Sequence, residues 1–352
     1  MNIPSNSFWP GKRVLVTGHT GFKGAWLALW LEMLGAKVSA LALPPATDPA
    51  LFHLLAPWRG LEHANVDIRD FDALNSVVQK VNPEIVLHLA AQALVRKSYR
   101  DPLETFGVNV MGTANLLEAV RSLDEFQAAV IVTTDKVYEN DASGRAFRET
   151  DRLGGKDPYS NSKACAELVS QCYRDSFFAK EAPLATARAG NVVGGGDWSE
   201  DRLVPDLIRA MLGRQPVSLR HPNATRPWQH VLEPLGGYLM LAEKLAEGRS
   251  GLPFSFNFGP DQDSTLTVAN VVDVLNQELG ISDGWVQAEG DHPPEAPVLA
   301  LDSSLATAEL GWKPKLDMRD TIRWTAEWYR DWNSGADPRT TTLRQIDRYM
   351  SL

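Results

Sequence analysis

Short runs of β-branched and aliphatic residues alternate with longer stretches whose apolar positions recur every three to four residues. The strand-like runs are "RVLVTG" (13–18), "KVSALAL" (37–43), "ANVDI" (64–68), "EIVLHLA" (84–90), "AVIVTTD" (129–135) and "LATARAG" (184–190). Helical periodicity fills 22–34, 70–80, 102–121 and 158–178 between them. The strand runs are almost continuously apolar, as parallel strands covered on both faces require. Strand–helix alternation of this kind predicts an α/β fold on a doubly wound parallel sheet.

The second half is less regular. Helical patterns at 203–213, 232–246, 267–279 and 318–333 are separated by Pro- and Gly-rich loops such as "GDHPPEAPV", and "FSFNFG" (254–259) reads as a buried strand returning to the main sheet. This predicts a smaller, mixed α/β C-terminal lobe.

Composition narrows the function classes. A chain of 352 residues suggests roughly two domains. A net charge of −9 with no long basic run gives no nucleic-acid footprint. Small anions stay in play, since local basic groups bind them regardless of net charge. No stretch reaches the ~18 apolar residues of a membrane span; "AWLALWLEML" is interrupted by Glu32. "MNIPSNSFWPGKR" lacks the apolar segment of a signal peptide. Cys165 and Cys172 are seven apart on a predicted helix, about 10.5 Å by helix rise and beyond disulfide reach. The expectation is a reduced, cytoplasmic protein with neither a nucleic-acid nor a membrane partner. No His/Cys/carboxylate cluster has metal-ligand spacing.

"VTGHTGFKGAWLALWL" places Gly18, Gly21 and Gly24 between the first strand and the first helix. Glycines there let backbone approach a pyrophosphate at a helix N-terminus. His19, Phe22 and Lys23 share the loop and are candidate cofactor contacts. An acidic residue about 20 positions on would favour NAD, but "SALALPP" supplies none, nor an arginine for NADP. NAD and NADP both stay open on this feature. Asp67 and Ile68 in "NVDIRD" are candidate adenine contacts, with an ordinary turn aspartate as the alternative. A dinucleotide-binding domain is thus expected over 1–190, with a returning segment at about 226–260. The substrate-binding lobe would span 191–352, interleaved with it.

"YSNSK" sets Tyr159 and Lys163 four apart at a helix start, on one face. An ammonium beside a phenol favours the phenolate, which could take a proton from a sugar hydroxyl near neutral pH.

With "LHLAAQ" (87–92), Asn109 in "NVMGTANLLEA" and "TTD" (133–135), these motifs resemble the extended short-chain dehydrogenase/reductase family, whose dinucleotide domain is Rossmann-like. Over about 12–335 the chain looks like its nucleotide-sugar 4,6-dehydratases. "TTDKVYEN", "GNVVGGGDW" and "RPWQHVLEP" are most similar to the CDP-glucose branch. The resemblance implies an internal redox cycle: oxidation at C4 of the sugar, loss of water across C5 and C6, and return of hydride to C6. Tyr159 and Lys163 would serve the oxidation, Thr134 would bind the C4 oxygen, Asp135 would be the C6 acid and Lys136 the C5 base. Most relatives carry glutamate where Lys136 stands, and that departure is typical of the CDP-glucose branch. A solvated strand-end lysine is the competing reading.

Further roles implied by the resemblance are cofactor contacts at Leu89, Ala90, Ala91, Asn109 and Thr133. Substrate contacts are implied at Gln92, Asn191, Asp197, Trp198, Arg202, Leu203 and Arg226, with Arg226 on the diphosphate; Asn191 and Arg226 also admit purely structural readings. His88 is expected to be a core histidine. Helices over 102–121 and 158–178 would form a homodimer interface, with a tetramer left open. The substrate expected is a nucleotide sugar.

Overall fold

The computed structural model describes residues 2–140, 144–178, 183–213, 215–248, 251–261, 266–281, 284–288 and 299–352. The side chain of Arg226 and all of "GDHPPEAPV" lie outside the described residues.

Seven parallel strands form the main sheet. They are β1 (Arg13–Thr17), β2 (Lys37–Ala42), β3 (Leu61–Asn65), β4 (Ile85–His88), β5 (Ala128–Val132), β6 (Leu184–Ala189) and the strand Ser255–Phe258. Their order is β3-β2-β1-β4-β5-β6 followed by Ser255–Phe258. The order reverses between β1 and β4, and ligands bind beyond the carboxyl ends of strands at such a switch point. "FSFNFG" therefore does return to the main sheet, pairing in parallel with β6.

Helices α1 (Phe22–Met33), α2 (Leu51–Leu54), α3 (Phe71–Val81), α4 (Val95–Arg100), α5 (Pro102–Phe106), α6 (Gly112–Val120) and α7 (Pro158–Phe177) flank the sheet with the helix Leu232–Ala246. β4, β5 and β6 are buried at every position, which explains the apolar residues that dominate them, while β6 also buries Thr186 and Arg188. One large core packs α1 and Leu232–Ala246 on one sheet face, and a smaller one packs α3 and α6 on the other.

Two expectations are corrected. The third strand is Leu61–Asn65, not 64–68: it is a sheet edge whose residues are half-buried or exposed, so apolarity does not mark it. The helix expected over 102–121 is three pieces, because Gly107–Met111 forms a π-turn between α5 and α6. Gly112 follows it, and a β-carbon there would fall 2.4 Å from Ile68 Cδ1.

Candidate active site

The glycine loop is sterically specified at two of its three glycines. Gly18 has φ +78°, and a β-carbon on it would sit 2.6 Å from the Ala90 nitrogen. At Gly24 it would lie 2.1 Å from the Gly18 carbonyl oxygen. At Gly21 the nearest atom would be 3.5 Å away, so the protein itself does not demand glycine there. Gly21 caps α1 without a side-chain hydrogen bond, and the first turn holds no acidic residue. The helix thus presents open amides and the positive end of its dipole, as an anionic phosphate needs. His19 is buried, its pKa lowered to about 4 first by burial and then by His63.

β4 and its loop build the next wall. Leu89 N donates to the Thr17 carbonyl (3.1 Å), and Ala90 N to Thr17 Oγ1 (3.1 Å). Ala91 is half-buried beside them. His88 bonds Thr17 through Nδ1 (2.7 Å) and Thr113 through Nε2 (3.2 Å), and burial lowers its pKa to about 3. It is the core histidine expected.

Several expected ligand contacts have their side-chain polar atoms committed to the protein. Asn109, inside the π-turn, donates to the Gln92 carbonyl (3.0 Å) and Ser162 Oγ (2.9 Å) and accepts from Gln92 N (2.9 Å). Gln92 spends its amide on Leu94 and Thr105. Thr133 Oγ1 donates to Glu167 (2.5 Å). Trp198 packs among Tyr329 and Trp332. Asp67 accepts from Arg69 beyond the end of β3, and Ile68 is buried against Gly112. The polar groups of Asn109, Gln92 and Thr133 are thus hydrogen-bonded within the protein, whereas the buried Trp198 Nε1 has no hydrogen-bond partner among the described residues.

The reactive groups converge where β5 ends. Thr134 leaves the strand, and its Oγ1 accepts from Lys136 N across a 3-10 turn over Asp135–Val137. Thr134 Oγ1 donates to Asp135 Oδ1 (2.9 Å), and Lys136 Nζ lies 3.4 Å from the same oxygen. Asp135 is 1% exposed, whereas the Lys136 side chain keeps 29%. The charge the fold sets against Lys136 is therefore a carboxylate.

Tyr159 opens α7 behind Pro158, with Asp157 as the cap. Its backbone N–H donates to Ser98 Oγ (3.1 Å), a contact that nothing in "VRKSYR" announces. Burial raises the phenol pKa; the Lys136 charge and a Thr134 hydrogen bond pull it partway back. The expected lowering by Lys163 is not what the fold gives. Lys163 Nζ turns down to donate to the Val132 carbonyl (3.0 Å), and burial lowers its own pKa to about 8.

Lys23 reaches the same region. It donates to the Tyr238 hydroxyl (2.9 Å), and burial with the charges of Arg202 and Lys163 lowers its pKa to about 7. Arg202 pairs with Asp197 Oδ2 (3.0 Å), and its charge helps to pull the phenol pKa down. Leu203 begins the next helix, packed on the core, and Asn191 heads a short strand paired with Trp228. Arg226 occupies the strand Thr225–Arg226. The cations Lys23, Lys136 and Lys163, the buried Asp135, the Tyr159 phenol and the glycine-lined head of α1 are groups suited to a dinucleotide and a sugar carrying a diphosphate.

The chain belongs to the GDP-mannose 4,6 dehydratase family, whose model matches residues 15–325. It is 45% identical over 351 residues to the CDP-glucose 4,6-dehydratase of Salmonella typhimurium, covering 98% of each chain. The dTDP-glucose 4,6-dehydratase of Xanthomonas campestris is 27% identical over 94% of this chain and 98% of that one. Among solved structures, the fold resembles the dTDP-glucose 4,6-dehydratase of Streptomyces venezuelae with NAD bound. That match has a TM-score of 0.78 at 24% identity and covers 93% of this chain and 99% of that one. It also resembles the UDP-glucuronic acid 4-epimerase of Bacillus cereus, with a TM-score of 0.78 at 22% identity over 91% and 99%.

Proposed function

We propose that this protein is an NAD-dependent hydro-lyase that converts CDP-glucose to CDP-4-keto-6-deoxyglucose. Full-length 45% identity to a CDP-glucose 4,6-dehydratase supports the substrate. The observation that carries the chemistry is the meeting of the Tyr159 phenol with the Thr134–Asp135–Lys136 turn, seen in the action of Lys136 and Thr134 on that phenol.

The open helix head at Gly21, the strained Gly18 and the walls at Leu89 and Ala90 fit a dinucleotide pyrophosphate. NAD held there supplies a hydride acceptor for C4 and a hydride donor for C6. Tyr159 takes the C4 hydroxyl proton, and Thr134 hydrogen-bonds the C4 oxygen. The 4-keto group acidifies the C5 hydrogen, which Lys136 removes. Asp135 protonates the departing C6 hydroxyl, which leaves as water. The 3.4 Å contact between Lys136 and Asp135 offers the proton a path from base to acid. As hydride reaches C6, a solvent-derived proton delivered by Lys136 completes C5. Arg202, Asn191 and Arg226 bind the nucleotide diphosphate.

We place self-association on the face made by α5, α6 and α7. Leu103, Met111, Leu168 and Phe177 are 84%, 57%, 55% and 54% exposed there, an apolar set suited to a homodimer. A cytoplasmic location belongs to the same reading; Cys165 and Cys172 are free thiols.

Incubation with CDP-, dTDP-, UDP- and GDP-glucose, with and without NAD or NADP, tests the proposal. A product lighter by one water, from CDP-glucose with NAD, is expected. Epimerisation without loss of mass would overturn it.

A further inference from the structure

Thr133 and Tyr138 bracket the turn that carries Thr134, Asp135 and Lys136, and both are tied to one buried ion pair. Thr133 Oγ1 donates to Glu167 Oε1 at 2.5 Å. The Tyr138 hydroxyl accepts from Arg188 Nη1 at 2.8 Å and donates to Asn257 Oδ1 at 2.7 Å. Arg188 Nε and Nη2 donate to the two Glu167 oxygens at 2.9 and 2.8 Å, and the side chains are 3% and 1% exposed. Such a fork fixes angle as well as distance. Thr186 Oγ1 donates to Glu167 Oε2 at 2.6 Å, so the network is well satisfied and stiff.

The hydrogen bonds that the turn's backbone N–H groups donate are long by comparison, although Thr134 Oγ1 donates to Asp135 Oδ1 at 2.9 Å. Lys136 N to Thr134 Oγ1 and Val137 N to Thr134 O are both 3.4 Å. Much of what holds its shape therefore lies outside it. Glu167 stands one helical turn after Lys163 on α7, so successive turns of that helix grip Val132 and Thr133, successive residues at the end of β5.

We infer that the Glu167–Arg188 pair acts through Thr133 and Tyr138 as a positioning device that holds Asp135 and Lys136 against the Tyr159 phenol. The inference rests on the dehydratase reading for its catalytic consequence, while its geometric content can be tested separately.

Removing Glu167 or Arg188 would strand a buried charge and endanger folding, so the neutral contacts are the better probes. Thr133→Val and Tyr138→Phe each delete one hydroxyl at nearly constant volume, and Thr133→Ser keeps the hydroxyl as a rescue. Backbone hydrogen exchange over 134–137 should quicken about tenfold in the first two variants and stay at the parent rate in Thr133→Ser, the size of change expected when a local opening is eased by one hydrogen bond. With CDP-glucose, kcat should fall roughly ten- to a hundredfold with KM nearly constant, as a misplacement of about 1 Å implies. Deuterium entry at C5 should suffer more than oxidation at C4. Unchanged exchange in both variants, equal loss of both chemical steps, or failure of Thr133→Ser to rescue would overturn the inference. If the parent protein dehydrates no sugar nucleotide, the functional reading falls, and the exchange measurement still decides this one.

Discussion

The Lys163 ammonium lies 3.0 Å from the Val132 carbonyl oxygen, which ties the lysine to the end of β5 and not to the phenol four residues before it. Burial lowers its pKa from 10.5 to about 8. Between those values the unfolded chain binds the extra proton, so stability rises with pH across that window, by about 1.4 kcal/mol per unit for one fully coupled site. Lys163→Met should flatten that rise. Urea midpoints measured at pH 7.5, 9 and 10 check it, and an unchanged slope would show that the ammonium is not desolvated.

Tyr159→Phe should cut turnover by about 10²–10⁴, the usual share of a general base, while leaving the fold intact, since the backbone N–H still bonds Ser98. Burial raises the phenol pKa, so kcat/KM of the parent should climb as pH rises above neutrality. Mass analysis of the product at several pH values reads both effects.

Lys136→Ala should stop deuterium entering C5 while sparing part of the oxidation at C4. The lysine touches Asp135 at 3.4 Å, and α7 still places Tyr159 without it, although the phenol loses a charge that pulls its pKa down. Trapped reduced cofactor, seen by its absorbance, together with silent C5 exchange would be the signature. Normal exchange would remove Lys136 from the role of base.

Gly21→Ala and Gly24→Ala should part company. The alanine methyl at 24 would collide with the Gly18 carbonyl oxygen and cost about 1–3 kcal/mol, the range of overpacking. At 21 it meets nothing closer than 3.5 Å, so stability should hold while NAD affinity falls. Denaturant melts and NAD titrations separate the two outcomes.

Leu103→Glu combined with Phe177→Glu should shift the protein toward monomers, because both side chains are exposed on the α5–α7 face. Sedimentation at several concentrations reads this directly. A species unchanged in mass would move the interface elsewhere.

The deeply buried strands were the most legible part of the chain. β4 and β5 are apolar at nearly every position because both faces are covered, and a run of that kind needs no tertiary knowledge to recognise. The edge strand Leu61–Asn65 was misplaced by three residues, since one-sided exposure lets Glu62 and His63 into it. The π-turn around Asn109 was invisible, because one inserted residue barely disturbs a helical period. Ser98 and Arg188 carry no local signature; what gives them a role is the chain brought beside them from 61 and 21 positions away.

The linear order of residues by itself determined the doubly wound sheet, the three-glycine loop, the Tyr159–Lys163 pair and the side-by-side hydroxyl, acid and amine at 134–136, because periodicity and spacing are local properties. Tertiary structure alone decided where each charge points. It turned Lys163 onto a carbonyl, set a carboxylate against Lys136, brought Lys23 to the Tyr238 hydroxyl and Arg202 to Asp197, and hung the reactive turn from a buried Glu167–Arg188 pair. The physical reason is that proton affinity and orientation depend on burial and on neighbours distant in sequence, which no spacing along the chain encodes.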